Sequence, residues 1–109
     1  MSPEAIVQAQ LDAYNAQDIE AFMTLFADDC VIADLNGAVT HQGAPAIRER
    51  YAQLFAQYPE NHAKLVNRIA VGDVVIDHED ITRSPNERFV AAAIYTIKNG
   101  LIARVDFIR

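Results

Sequence analysis

Apolar residues recur at helical spacing in the first half of the chain and alternate with polar ones in the second. Ile6, Val7, Leu11 and Tyr14 form one stripe, the mark of a helix buried along one side. Ser2 can cap this helix, with Pro3 at its first position and Glu4 near its positive end. Asp18 can cap a second helix whose inner face is Ile19, Phe22, Met23 and Phe26. That helix should stop at Asp28-Asp29, where acidic side chains meet the negative helix end. A third helix starts at Gly43 or Ala44 and runs to about Tyr58, with Ile47, Tyr51, Leu54, Phe55 and Tyr58 inward and Pro59 as its stop.

Residues 30–34 read as a short strand, Asn36-Gly37 as a turn, and 39–42 as a continuation of the sheet. Three or four strands follow, near 64–71, 74–83, 88–98 and 101–109, joined at Gly72-Asp73, Ser84-Pro85-Asn86 and Asn99-Gly100. Helices followed by strands make an α+β fold, an antiparallel meander covered by helices on one face.

Alternation divides 74–83 into two faces. Val75, Asp77, Glu79, Ile81 and Arg83 carry three charges spread along their face, which therefore should see solvent or a partner. Val74, Ile76, His78, Asp80 and Thr82 should then face the helices. Phe89, Ala91, Ala93 and Tyr95 share one parity and should line an inner wall, the two alanines leaving volume beside the aromatic rings. On the last strand Ala103, Val105 and Phe107 should point inward, with Arg104 and Asp106 outward.

A length of 109 residues suits one domain, 1–109, and 51% hydrophobic residues suffice for a core. The charge of −6 argues against a nucleic-acid partner, whose binding needs clustered Lys and Arg. No apolar stretch approaches the length needed to cross a bilayer, and Met1-Ser2-Pro3-Glu4 lacks the features of a secretory signal, so a cytoplasmic location and no membrane partner are expected. The one cysteine, Cys30, allows no internal disulfide and reads as an inert core thiol.

Several segments together resemble the ketosteroid-isomerase and SnoaL-like branch of the NTF2-like superfamily. They are Asn15-Ala16-x-Asp18, Leu25-Phe26-Ala27-Asp28-Asp29, then Asp34, Gly37, Gly43, Ala46-Ile47-Arg48-Glu49-x-Tyr51, and the later Val74-Val75-Ile76-Asp77-His78-Glu79. The resemblance implies a cone: three N-terminal helices packed on a strongly curved antiparallel β-sheet enclosing a pocket. It also implies a homodimer through the outer sheet face, and no metal or other cofactor. Fold is well specified by such a pattern, but activity is not, since many functions share the scaffold.

Asp34 falls at the position of the general-base aspartate of the isomerases, where an apolar pocket would raise its pKa and make it a better proton acceptor. Its other reading is an Asx cap on the Asn36-Gly37 turn. The isomerases' oxyanion hole pairs a tyrosine with an aspartate kept neutral by its apolar site, so that both can donate. The tyrosine falls on Gln10 and the protonated aspartate on Ala93, so that hole is not retained. Losing one such donor costs about 2.7–4 kcal/mol of transition-state stabilisation, which excludes a standard ketosteroid isomerase. Tyr51 falls on a tyrosine that supports the hole, though core packing would equally place it there. His78 and Asp80 could form an acid–base dyad, with His78 supplying the missing donor, or a purely structural pair.

Two functions remain. One is an enzyme that transfers protons on a small, mostly apolar carbonyl compound, an isomerase or cyclase, with Asp34, His78 and Asp80 catalytic and Gln10, Tyr51, Phe89, Ala91, Ala93, Tyr95, Val105 and Phe107 binding the ligand. The other is a non-enzymatic ligand-binding or dimerisation module. Epoxide hydrolysis needs a richer Asp/Arg network, and no inward arginine is visible to supply one.

Overall fold

The computed structural model describes residues Met1–Arg109. Helix α1, Pro3–Ala16, starts where Ser2 Oγ accepts from the Ala5 N–H at 3.1 Å, and ends on Gln17 in the left-handed conformation. Helix α2, Ile19–Met23, is capped by the Asp18 carboxylate. Helix α3, Ala44–Gln57, begins at Gly43, whose φ of +86° suits a residue without a Cβ. The strands are β1 (Phe26–Asp34), β2 (Val39–Gln42), β3 (His62–Val71), β4 (Val74–Ser84), β5 (Glu87–Lys98) and β6 (Leu101–Ile108).

The strands form one curved, open sheet in the order β2-β1-β6-β5-β4-β3. Every pairing is antiparallel except β1 with β6, which is parallel. The three helices lie against its concave side, α1 against β3, β4 and β6, and α3 against β1 and β2. Tyr14, Phe22, Tyr51 and Phe55 meet where the helices converge, with Phe22 and Tyr51 ring centroids 4.7 Å apart. Each such aromatic pair adds about 0.5–1.5 kcal/mol beyond its buried area. Asn15 ties α1 to the edge strand, its amide donating to Ala63 O at 2.9 Å and its carbonyl accepting from Ala63 N–H at 2.8 Å. No helix is long and apolar enough to cross a membrane.

Three expectations change. Phe26 and Asp28-Asp29 belong to β1 rather than to the second helix, which stops at Met23. The backbone there is captured by β6: Leu25 O accepts from Ile102 N–H at 2.8 Å and Phe26 pairs with Ile102. On β6 a register shift brings both Ile102 and Val105 into the core and leaves Ala103 only partly buried.

The third change concerns β4. Val75, Asp77, Glu79 and Ile81 face the helices and are buried, while His78 is exposed on the outer face. The turn pairs Ser84 with Glu87, and that register alone would put Asp80 opposite Ala91 and His78 opposite Ala93. A one-residue bulge between Thr82 and Ser84 shifts it, so Glu79 sits opposite Ala91 and Asp77 opposite Ala93. A shift of one residue exchanges the two faces of a strand. The small side chains of Ala91 and Ala93 leave room for the two carboxylates.

Candidate active site

The open end of the sheet encloses a cavity of about 440 Å³ between α1, α3 and strands β4 to β6, a size suited to a small organic molecule. Gln10 and Tyr14 reach it from α1, and Arg50, Tyr51 and Leu54 from α3. The sheet supplies Glu79, Ile81 and Arg83 from β4, Glu87, Phe89, Val90, Ala91 and Tyr95 from β5, and Phe107 with Arg109 at the chain end.

Glu79 is the chemically distinctive group. It is 6% exposed. Burial, reinforced by the neighbouring Asp77 charge and partly offset by Arg68, pushes its carboxyl up from the usual 4.5 to about 7. A carboxyl poised there can hold or accept a proton under ordinary conditions. Asp77, beside it and fully buried, is held by Arg68 in a two-pronged ion pair of 2.7 and 2.9 Å, with Arg68 also donating to Gln8 Oε1 at 2.9 Å. A second bulge, between Leu65 and Asn67 on β3, places Arg68 opposite Asp77.

Two potential donors accompany Glu79. Tyr95 is buried, and burial together with the Glu79 charge pushes its phenol well above its usual pKa, so the hydroxyl keeps its proton. Gln10 is 5% exposed; its amide Oε1, an acceptor, has no hydrogen-bond partner in the protein, and its Nε2 is the donor it can offer a ligand. Most buried polar groups are paired, so an unpaired one facing a cavity is open to a ligand.

The expected site residues divide. Gln10, Tyr51, Phe89, Ala91, Tyr95 and Phe107 line the cavity, while Ala93 and Val105 are buried in the wall behind it. Tyr51 serves core and cavity together, packing edge-on against Tyr14. Asp34 does not line the cavity. Its side chain is 53% exposed at the end of β1, 3.6 Å from Arg109, so the apolar enclosure expected around it is not found. Its carboxylate meets Arg109 rather than the turn, which is closed by backbone bonds: Asp34 O accepts from Gly37 N–H at 2.8 Å and Asp34 N–H donates to Ala38 O at 3.0 Å. His78 and Asp80 lie on the outer face, where Arg88 binds Asp80 at 2.6 Å and holds its carboxyl below the usual range. The β4 bulge is the physical reason.

Sequence reasoning missed Glu79 and the arginines. Arg50, Arg83 and Arg109 do reach the cavity, so the expectation of no inward arginine is corrected. Arg68 faces inward too, but Asp77 and Gln8 occupy its donors and it does not line the cavity. The pair of alanines on β5 was the available signal, because small residues mark where a cross-strand side chain needs space. Cys30, fully buried, has its thiol pushed up to about 12 by desolvation, as an inert thiol should.

The SnoaL-like domain matches residues 7–105. The chain belongs to the SnoaL-like domain family. Among solved structures, this SnoaL-like chain is similar to an uncharacterized cystatin-fold protein from Novosphingobium aromaticivorans, with 34% identity, a TM-score of 0.95, and coverage of 100% of this chain and 99% of that one. It is also similar to a candidate polyketide cyclase from Sinorhizobium meliloti, with 28% identity, a TM-score of 0.82, and coverage of 95% and 94%. A protein of ketosteroid-isomerase-like fold from Catenulispora acidiphila, solved with trimethylamine, shares the fold at 23% identity and a TM-score of 0.77, over 100% of this chain and 87% of that one. The SnoaL-like scaffold thus carries the isomerase-like architecture expected from sequence.

Proposed function

We propose that this SnoaL-like chain binds a small, mostly apolar carbonyl compound and transfers a proton on it, in an isomerisation or an aldol-type cyclisation, with Glu79 as the base. The supporting observation is a buried carboxyl of pKa about 7 facing an aromatic-walled cavity. Glu79 takes a proton from the carbon next to the carbonyl, and the electron pair moves onto the carbonyl oxygen. Tyr95 and Gln10 donate to that oxygen. The proton returns at another carbon in an isomerisation; in a cyclisation the enolate carbon attacks a second carbonyl, whose oxygen becomes an alkoxide and takes the proton back from Glu79. Asp34 is reassigned from base to partner of Arg109 at the rim.

Deuterium uptake by enolisable apolar ketones in D2O tests the assignment. Glu79→Gln should lower the exchange rate by about a hundredfold or more, the usual worth of a positioned base, while Asp34→Asn should leave it near wild type. The wild-type rate should climb with pH and level off above about 7, because only the ionised carboxyl can accept the proton. Loss in Asp34→Asn with an unchanged Glu79→Gln would return the role to Asp34.

A second reading, an association module, has its own support. Ile69, Val71 and Ile108 are exposed on the outer side of the sheet, where Ile69 pairs with Ile76 and Ile76 with Ile94, and exposed apolar surface marks interaction sites. We propose a homodimer through this face. Light scattering should give twice the 12.1 kDa chain mass, and Ile69→Asp with Val71→Asp should give the monomer. A wild-type monomer at working concentration rules the dimer out.

A further inference from the structure

Most arginines of the chain are neutralised within it. Arg48, Arg68, Arg88, Arg104 and Arg109 each meet a carboxylate. Arg50 and Arg83 meet none, although acidic side chains outnumber basic ones 15 to 9, and both of them line the cavity. Arg50 has its Nε buried with no hydrogen-bond partner, and its guanidinium lies 5.5 Å from the Tyr51 ring centre. Arg83 donates from Nε to Asn61 Oδ1 at 3.1 Å, which orients the group and leaves its terminal nitrogens uncommitted. It lies 5.0 Å from the Phe89 ring centre and 5.8 Å from that of Tyr58.

Arg83 also occupies the β4 bulge, and bulges beside sites commonly re-aim a side chain. Guanidinium forks against aromatic walls are matched in shape and charge to a planar carboxylate, and partial desolvation strengthens that attraction. Glu79 and Arg83 stand four residues apart on β4, about 13 Å along the strand. Given the reach of both side chains, a two-ring molecule can meet both.

We propose that the ligand of this cavity carries a carboxylate, held by the free terminal nitrogens of Arg83, with Arg50 adding positive charge to the same cavity, on an apolar ring body lying against Phe89 and Tyr51. The inference rests on the proton-transfer reading for its setting, and narrows the substrate from an apolar carbonyl compound to an apolar keto acid.

Calorimetric titration with 2-naphthoate and with its neutral counterpart, 2-acetonaphthone, tests it. The acid should bind about tenfold or more tightly, as a charge-assisted contact provides. The preference should shrink at about 1 M salt and vanish in Arg50→Gln/Arg83→Gln. Equal binding, no binding of the acid, or a preference that survives both substitutions overturns the proposal. Should the double variant not fold, Arg83→Lys keeps the charge and loses the fork. It should then weaken the preference severalfold, and an unchanged preference also overturns the proposal.

Deuterium exchange at the ketone's methyl group, read on the same samples, separates the two proposals. Exchange lost in Glu79→Gln without any preference for the acid sinks the carboxylate alone. A preference for the acid without exchange supports the carboxylate and counts against Glu79 as base.

Discussion

Raising the pH to about 8 is expected to cost the protein roughly 3 kcal/mol of stability through Glu79 alone. In the unfolded chain this carboxyl ionises near 4.5; in the fold, desolvation and the Asp77 charge hold the proton on until about 7. Between those values the native state binds more protons than the unfolded state, so stability falls as pH rises. The contribution is complete below about 4.5 and lost as the pH passes through about 7. Glu79→Gln replaces the neutral carboxyl with a neutral amide of nearly the same shape. The variant should match wild type in acid and exceed it near pH 8 by roughly 3 kcal/mol, or roughly 10–20 °C in Tm for a chain of this length. Urea melts of both proteins across this range measure the difference. Parallel pH profiles would mean that Glu79 titrates like an exposed glutamate, and the proposed base would lose its physical ground. The expected gain in stability together with a loss of proton exchange is the trade-off typical of a strained functional group.

The second large effect concerns the pair beneath the site. Arg68→Met should destabilise the fold by about 3–5 kcal/mol, since it leaves a fully buried Asp77 without its partner. Gln8 Oε1 loses its donor at the same time. Replacing both partners, as Arg68→Met with Asp77→Leu, should recover much of that loss, because apolar side chains of similar volume carry no desolvation cost. Denaturation of the two single variants and the double variant gives the coupling directly. A loss below about 1 kcal/mol in Arg68→Met would show that the pair contributes no more than a surface ion pair. In the double variant Glu79 should also titrate below about 7, because the Asp77 charge that raises it outweighs the Arg68 charge that lowers it and both are gone, while its own burial remains.

Much of the architecture was legible in the sequence. The caps at Ser2 and Asp18 lie at the starts of the first two helices, and the turn residues Asn99 and Gly100 both take positive φ. These are local devices: a side-chain oxygen on a helix N–H, or a backbone conformation that Asn and Gly tolerate, needs no distant partner. Phe26 was misread for the opposite reason. Its spacing continues the helical stripe of Ile19, Phe22 and Met23, but the parallel pairing with β6, far away along the chain, outweighs that local preference.

Alternation along β4 was also plain from the amino-acid order, with His78 and Asp80 on one side and Asp77 and Glu79 on the other. Counting charges then pointed the wrong way, because buried carboxylates are rare unless compensated. Here the compensation comes from Arg68 for one carboxylate and a retained proton for the other. Residue order alone determined the caps, the hairpin turns and the two sets of side chains on β4 and β5, since those follow from interactions within a few residues. Only the tertiary structure decided which set faces the cavity, because a single extra residue at the β4 bulge exchanges inside for outside and leaves the alternating pattern unchanged.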